Sequence, residues 1–325
     1  MHILITGCAG YIGSVISKSL IDAGFTVIGL DNLSTGFKSN LDSRIDFYPA
    51  DINNENIIRE IKSKYPSLDT VIHLAAFIEV AESVKNPEKY LENNFKRSKN
   101  FLDTLQDLNF KNIIYSSTAA VYKPVSFLIK EDFETAPVNP YGLSKLLFEE
   151  ELKKSKLNYI IFRFFNVAGA DGRFGEFHEP ETHLIPLLID FSLGLRKEFN
   201  IYGNDYETPD GTPIRDYVHV KDLAIAHREA LNAIVNSETH KLKQIYNLGY
   251  GRGFSVKEIV NSLENLLGKK LNFTYASRRE GDPAILVADP SKALNILGFK
   301  PKHKSIETII NDAFIHRKSF YQHAS

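Results

Sequence analysis

The chain has 325 residues, 43% of them hydrophobic, enough for two domains of ordinary size around a sizeable core. Its 39 Lys and Arg against 40 Asp and Glu leave a formal charge of -1, mixed along the chain; this offers no footprint for nucleic acid or an anionic membrane and makes small-molecule chemistry the leading class. One cysteine, Cys8, excludes an intrachain disulfide, no apolar run approaches the roughly 20 residues of a membrane span, and the first residues enter a strand pattern with no cationic leader, so a cytoplasmic protein is expected.

In chain order, the first half repeats one theme. Short β-branched runs, HILITG, TVIGLD, DFYPADI, TVIHLAA, NIIYSS and NYIIFRFFN, mostly alternate with stretches of helical spacing such as residues 11–23 and 89–108. The runs are nearly continuous in apolar residues, which implies burial on both faces under flanking helices. The pattern predicts an α/β fold with a doubly wound parallel sheet. After Asn166 the texture changes to Gly, Glu, His and Pro until a short strand, RDYVHV, leads into a helix from Lys221 and one more strand, QIYNLG. From about Gly251 a smaller mixed α/β unit follows, with helices near 255–267 and 304–318. No obvious linker separates the two parts, so a cleft between them is the expected ligand site.

Between the first strand and the first helix, LITGCAGYIGS places Gly7, Gly10 and Gly13 at GxxGxxG spacing. Glycines there permit a tight turn, close approach of a pyrophosphate and packing of helix on strand, while the helix N-terminus offers free N–H groups. Glycines cluster in many such turns, and Asp31 gives this set its meaning: it closes the second strand in VIGLDNLSTG, where a carboxylate can accept both adenosine ribose hydroxyls and repels a 2'-phosphate. NAD is therefore expected over NADP, in a Rossmann-like domain, with Asp51 and Ile52 bordering the adenine.

On the same sheet edge, IIYSSTAAVY offers the hydroxyls of Ser116, Ser117 and Thr118. In NPYGLSKLLFE, Asn139 is a good N-cap and Pro140 a good first helical residue, so Tyr141 and Lys145 fall one turn apart on one helix face. A cation beside a phenol stabilises phenolate, so the tyrosine pKa is expected below its reference of about 10. A second YxxxK, Tyr217 with Lys221, lies in a strand-like segment, where four residues span about 13 Å and keep the pair apart.

Other conspicuous residues have plainer readings. HEPETH, residues 178–183, sets its histidines five apart around Pro180, so the helical HExxH arrangement is absent; a pocket-lining loop without metal is expected. His73, inside an apolar strand, is expected to be a satisfied core histidine, and Cys8 to pack in the glycine loop.

Taken in order, GxxGxxG, the hydroxyl-bearing strand end and YxxxK resemble the short-chain dehydrogenase/reductase superfamily, most closely its extended, sugar-nucleotide-modifying branch. The segments AGYIGS, DNLSTG, ENN, YGLSK, RFFNVAGA, THLIP, YGNDYETPDGTPIRDYVHVKDLA, YNLGYGRGFSV and RREGDPAILVADPSKA look like the successive motifs of the UDP-galactose 4-epimerase family, from residue 2 to about 300. The stretch from Tyr202 to Leu223 is the most specific.

The resemblance implies a catalytic set of Thr118, Tyr141 and Lys145, with Thr118 where serine is usual. It implies an NAD held throughout turnover by Gly7, Gly10, Tyr11, Ile12 and Gly13 in the loop, and by Asp31, Asn32, Asp51 and Ile52 at the adenosine end. Leu74, Ala75, Ala76, Asn94, Ser116 and Phe164 join Tyr141 and Lys145 as its remaining contacts. Besides Thr118 and Tyr141, the UDP-sugar would meet Asn166, His183, Leu184, Asn200, Tyr202, Arg215, Arg279, Asp282 and Leu286. The cofactor domain would comprise residues 1–168 with about 214–249, and the UDP-sugar domain about 169–213 with 250–325. A homodimer built from helix 89–108 and the Tyr141 helix completes the family picture.

In the implied cycle, Tyr141 removes the sugar 4-hydroxyl proton while hydride leaves carbon 4, and hydride returns to the opposite face of the 4-keto sugar. Dehydratases and decarboxylases of the same branch need an extra carboxylate beside the active-site hydroxyl, where this chain has Ala119 and Ala120. Another NAD-dependent sugar-nucleotide short-chain enzyme, a UDP-pentose epimerase or dehydratase, and a non-catalytic NAD sensor remain as alternatives. Leu286 stands where a tyrosine would exclude N-acetyl groups, so UDP-N-acetylglucosamine is expected to be accepted as well as UDP-glucose. Ile78, Phe164 and Lys123 depart from the usual lysine, tyrosine and glycine, and His183 from asparagine; none touches the proton-transfer pair.

Overall fold

A computed structural model describes residues 1–125, 127–279 and 282–324. The first half builds β1 (His2–Thr6), α1 (Tyr11–Asp22), β2 (Thr26–Asp31), β3 (Asp46–Pro49), α2 (Glu55–Lys64) and β4 (Thr70–His73). It continues with α3 (Val80–Lys85), α4 (Pro87–Tyr90), α5 (Ser98–Asp107), β5 (Asn112–Thr118), α6 (Pro140–Lys154) and β6 (Asn158–Phe164). The sequence predicts one regular helix over 89–108; instead α4 runs into α5 through a wider, π-helical stretch, Leu91–Arg97.

The second half adds β7 (Asn166–Ala168), β8 (Ala170–Asp171), β9 (Phe174–Gly175), α7 (Leu184–Ser192), β10 (Asn200–Tyr202), β11 (Ile214–His219), α8 (Val220–Val235) and β12 (Gln244–Leu248). It closes with β13 (Gly253–Ser255), α9 (Val256–Leu267), β14 (Thr274–Ala276), β15 (Ile285–Leu286) and α10 (Ile306–Ala324).

Seven parallel strands form the main sheet in the order β12-β6-β5-β4-β1-β2-β3. The apolar strand runs supply both faces. Ile3 and Ile5 of β1 join Ile72 and Ile114 in the core beneath α1 and α8, while Leu4 joins Val71 and Ile113 beneath α2, α5 and α6. The chain steps from β1 to β2 and β3 on one side, then returns to β4 on the other, which opens a crevice at the carboxyl ends of β1 and β4.

The smaller unit hangs from β11, which pairs with β7, β13 and β15. Thus Ile214–His219 belongs to the smaller sheet, and the chain rejoins the main sheet through α8 and β12. The α8 helix starts at Val220, where the His219 ring accepts from Lys221 N at 3.0 Å. Helices α7, α9 and α10 enclose a separate core containing Ile189, Leu263 and Ile309.

Candidate active site

Gly7 turns the chain out of β1 at φ +75°, and a Cβ there would lie 2.7 Å from Ala75 N, just past β4. Only glycine fits that approach. Gly10 precedes α1 with extended backbone and no side-chain cap, so the first-turn N–H groups are left for an anion. Asp31 lies beside them: Oδ2 accepts from Ala9 N at 3.0 Å and Oδ1 from Leu33 N at 2.8 Å. Burial pushes its pKa up while those N–H groups pull it down, and each oxygen keeps a further lone pair for a hydroxyl. Asp51 Oδ2 accepts from Asn32 Nδ2 at 2.9 Å and from Arg97 Nη1 at 3.1 Å. Arg97 escaped the sequence reading because nothing local shows that the π-helical stretch turns it towards Asp51. The cradle at Gly7 and the acceptors on Asp31 fit a dinucleotide such as NAD.

Three of the expected cofactor residues turn their side chains to other work. The Tyr11 hydroxyl donates to Gly169 O at 2.7 Å, tying α1 to the smaller unit. The Asn94 amide donates to Phe77 O at 2.9 Å and Ser144 Oγ at 3.2 Å and accepts from Phe77 N at 2.9 Å, fastening the loop after β4 to α6. Phe164 packs into the core, its ring centre 5.9 Å from that of His227.

Asn139 accepts from Gly142 N at 2.8 Å and Pro140 opens the turn, so α6 begins where its sequence dictates. Tyr141 and Lys145 then face the end of β5. Lys145 Nζ donates to Ser116 O at 2.9 Å and lies 5.0 Å from the centre of the Tyr115 ring. Ser116 Oγ donates to His73 O at 3.1 Å. The Thr118 hydroxyl accepts from Ala120 N at 3.1 Å and acts on the Tyr141 phenol, pulling its pKa down.

The expected acidified phenol is not what the polypeptide alone produces. Desolvation pushes Tyr141 up to about 12, against the pull of Thr118. The same desolvation brings Lys145 down to about 7, opposed by Glu149 one turn further along α6. Burial weakens the very cation that the spacing argument relied on. Glu149, which the sequence reading missed, is fully buried in an ion pair with Arg163, Nη2 to Oε2 at 2.6 Å, and accepts from Ser117 Oγ at 2.5 Å. Its signal was the further i+4 step after Lys145 in YGLSKLLFE.

On the opposite wall, Arg215 of β11 pairs with Asp282, and Leu286 of β15 lies in register with Arg215. The Arg279 guanidinium stacks 4.3 Å from the centre of the Tyr202 ring. Asn200 of β10 accepts from Thr274 of β14, and Asn166 of β7 lies opposite Tyr217 of β11. His183 directly precedes Leu184, the first residue of α7. Its neighbour Thr182 donates to Glu79. In the second YxxxK, Tyr217 is buried in β11, while Lys221 already belongs to α8 and pairs with Asp312 at 2.7 Å. His73 is satisfied in the core by Thr6 at 2.7 Å and Ser98 at 3.0 Å, and burial holds its ring neutral, with a pKa of about 3. Burial likewise pushes the Cys8 thiol up.

Residues 3–249 match the sequence pattern of the NAD dependent epimerase/dehydratase family. The chain belongs to that family. It is 44% identical to a UDP-glucose 4-epimerase of Halalkalibacterium halodurans over 97% of this chain and 95% of the relative. The fold superimposes with a TM-score of 0.91 on a UDP-glucose 4-epimerase from Brucella ovis solved in complex with NAD, at 40% identity, covering 97% of this chain and 98% of the other. It matches the UDP-Glc/GlcNAc 4-epimerase of Campylobacter jejuni with a TM-score of 0.83 at 35% identity, covering 98% and 99%. In this chain Thr118 ends β5 and Tyr141 and Lys145 lie on α6, at the same carboxyl edge of the sheet as the crevice.

Proposed function

We propose that this epimerase-family chain interconverts UDP-hexoses at carbon 4. The observation that carries the reading is the convergence of the Thr118 hydroxyl at the end of β5 with Tyr141 and Lys145 one turn apart on α6, with Ala119 and Ala120 following Thr118. A hydroxyl and a phenol on one substrate oxygen can remove and return a proton; with alanines directly after Thr118, that stretch offers no acid to assist elimination of a further group. This disfavours the dehydratase reading.

NAD, when bound, supplies the hydride acceptor and a positive charge beside the phenol. The protein's own part is positional. Thr118 bridges the substrate oxygen and Tyr141, following its change between alkoxide and ketone. Tyr141 takes the 4-hydroxyl proton and gives it back. Lys145, held by Ser116 O, biases the phenol towards phenolate in proportion to its own charge. Arg215 and Arg279 are the guanidinium forks for the diphosphate. Held there, the flat 4-keto sugar turns and receives its hydrogen from the other face.

Leu286 lacks the ring that would close the sugar pocket, and the likeness to the Campylobacter jejuni UDP-Glc/GlcNAc 4-epimerase supports acceptance of acetamido sugars. A homodimer through α6 and the helix before β5 belongs to the same reading. Leu143 is exposed on α6 and Leu91 and Phe95 are half-buried; Phe101, Leu102 and Leu105 are covered by their own chain. No helix among the described residues is long and apolar enough to cross a membrane, and we place the protein in the cytoplasm.

The test is incubation of the purified protein with each UDP-hexose and UDP-N-acetylhexosamine, followed by separation of the epimers. Epimer from UDP-galactose, abolished by Tyr141→Phe, supports the proposal. NAD bound with no epimer from any UDP-sugar would favour a sensor instead.

A further inference from the structure

The loop between β9 and α7 carries HEPETH, whose spacing predicts no helical metal motif. The fold nonetheless gathers its donors. Glu176 Oε1 lies 3.5 Å from His178 Nε2 and 3.1 Å from His183 Nδ1, and the three ligand atoms are all within 4.8 Å of one another. Among the described residues this is the one group of three or more His, Cys or carboxylate donors so close together. We infer that Glu176, His178 and His183 form a binding site for a divalent transition metal of the zinc class.

Three observations favour a cation over a plain ionic cluster. The first is convergence. Both histidines aim a ring nitrogen at the same carboxylate oxygen, and their ring centres are only 5.1 Å apart. The two distances to Glu176 Oε1, 3.5 and 3.1 Å, suit a tetrahedral ion, since ligand bonds of about 2.0–2.1 Å put neighbouring donors roughly 3.3 Å apart. Nitrogen with carboxylate oxygen is the donor set of zinc, not of calcium or magnesium.

The second is support from behind. Glu181 Oε1 accepts from Thr182 N and His183 N, both at 3.0 Å, so it braces the turn that presents His183. Buried Arg317 of α10 donates to Glu176 O and to Glu181 Oε2, both at 3.2 Å, and is itself clamped by Asp190 at 2.5 and 2.6 Å. Outer partners of this kind fix ligand orientation in metal sites.

The third is charge and access. Glu176 and Glu181 both bring a carboxylate oxygen to His183 Nδ1, at 3.1 and 3.3 Å, and a divalent ion can take the place of the ring proton in that pairing. Glu176 is nearly buried, but His183 is 39% exposed and opens a way in. Ligation through Nδ1 leaves the His183 Nε2–H free, so the metal would hold the start of α7 in place while that N–H still serves the sugar pocket.

The experiment uses the full chain, dialysed against chelator and then titrated with Zn2+ or Co2+ alone. The site predicts about one ion per chain, micromolar affinity or tighter, and strong tetrahedral ligand-field bands with Co2+. His178→Ala, or Glu176→Gln, should weaken binding at least tenfold, whereas His240→Ala, at an exposed histidine elsewhere, should not. Absence of stoichiometric binding, or binding unchanged in folded His178→Ala, overturns the site. Should both ligand variants fail to fold, the cobalt spectrum of the unsubstituted chain decides: tetrahedral bands sustain the proposal and weak octahedral bands refute it.

Discussion

Lys145 Nζ donates its 2.9 Å hydrogen bond to the carbonyl of Ser116, not to a carboxylate. The ammonium therefore sits in a dry site with a dipole and an aromatic face for company, and desolvation lowers its pKa to about 7, with Glu149 opposing.

A stability consequence follows for the ligand-free protein. The folded value, about 7, is depressed below lysine's ordinary 10.5. Below pH 7 both folded and unfolded chains carry the charge, and folding bears its full burial cost. Between the two values only the unfolded chain binds the proton, so stability from this group rises with pH. Lys145→Met should therefore be more stable than the parent at pH 6 by urea unfolding, with the margin shrinking steadily towards pH 10.

Tyr141 titrates the other way. Its phenol, pushed up to about 12 by desolvation, should stay protonated through pH 10 in the ligand-free chain. Ultraviolet titration, taken as the difference between parent and Tyr141→Phe, reads this directly. Saturation with NAD should move the transition down by at least one pH unit.

Removing Thr118 tests the bridge. Thr118→Val should lose about 100-fold or more in kcat with NAD binding unchanged, and Thr118→Ser should restore it, because the hydroxyl and not the methyl does the work.

Much of this was legible before any coordinates. Continuous apolar runs in β1, β4 and β5 announced two-sided burial, and Asn139-Pro140 announced the start of α6, because both signals act within a few residues. Distant partners were not legible. That Arg97 reaches Asp51, or that Arg317 braces Glu181, depends on a π-helical turn and on how α10 packs, which leave no mark at the residues concerned. The phenol was misjudged for a related reason: spacing shows that a lysine is near, but not how thoroughly water is excluded from it. HEPETH is the loop its spacing predicts, and the approach of Glu176, His178 and His183 within it follows from the path of the chain, not from any helical repeat.

Glu149→Gln should be severe. It leaves the Arg163 guanidinium buried with its partner's charge removed, a loss of about 3–5 kcal/mol measurable by denaturant unfolding. A change below 1 kcal/mol would mean that the pair contributes little.

Leu286→Tyr should cut kcat/KM for UDP-N-acetylglucosamine by about tenfold or more while sparing UDP-glucose. Equal activity on both sugars after the substitution would remove Leu286 from the account of specificity.

The most direct trial of the central claim follows one hydrogen. The purified protein, given UDP-galactose deuterated at carbon 4 and no added dinucleotide, should yield UDP-glucose with the deuterium still on carbon 4. Product carrying solvent hydrogen at that carbon, or undiminished turnover in Tyr141→Phe, would contradict it.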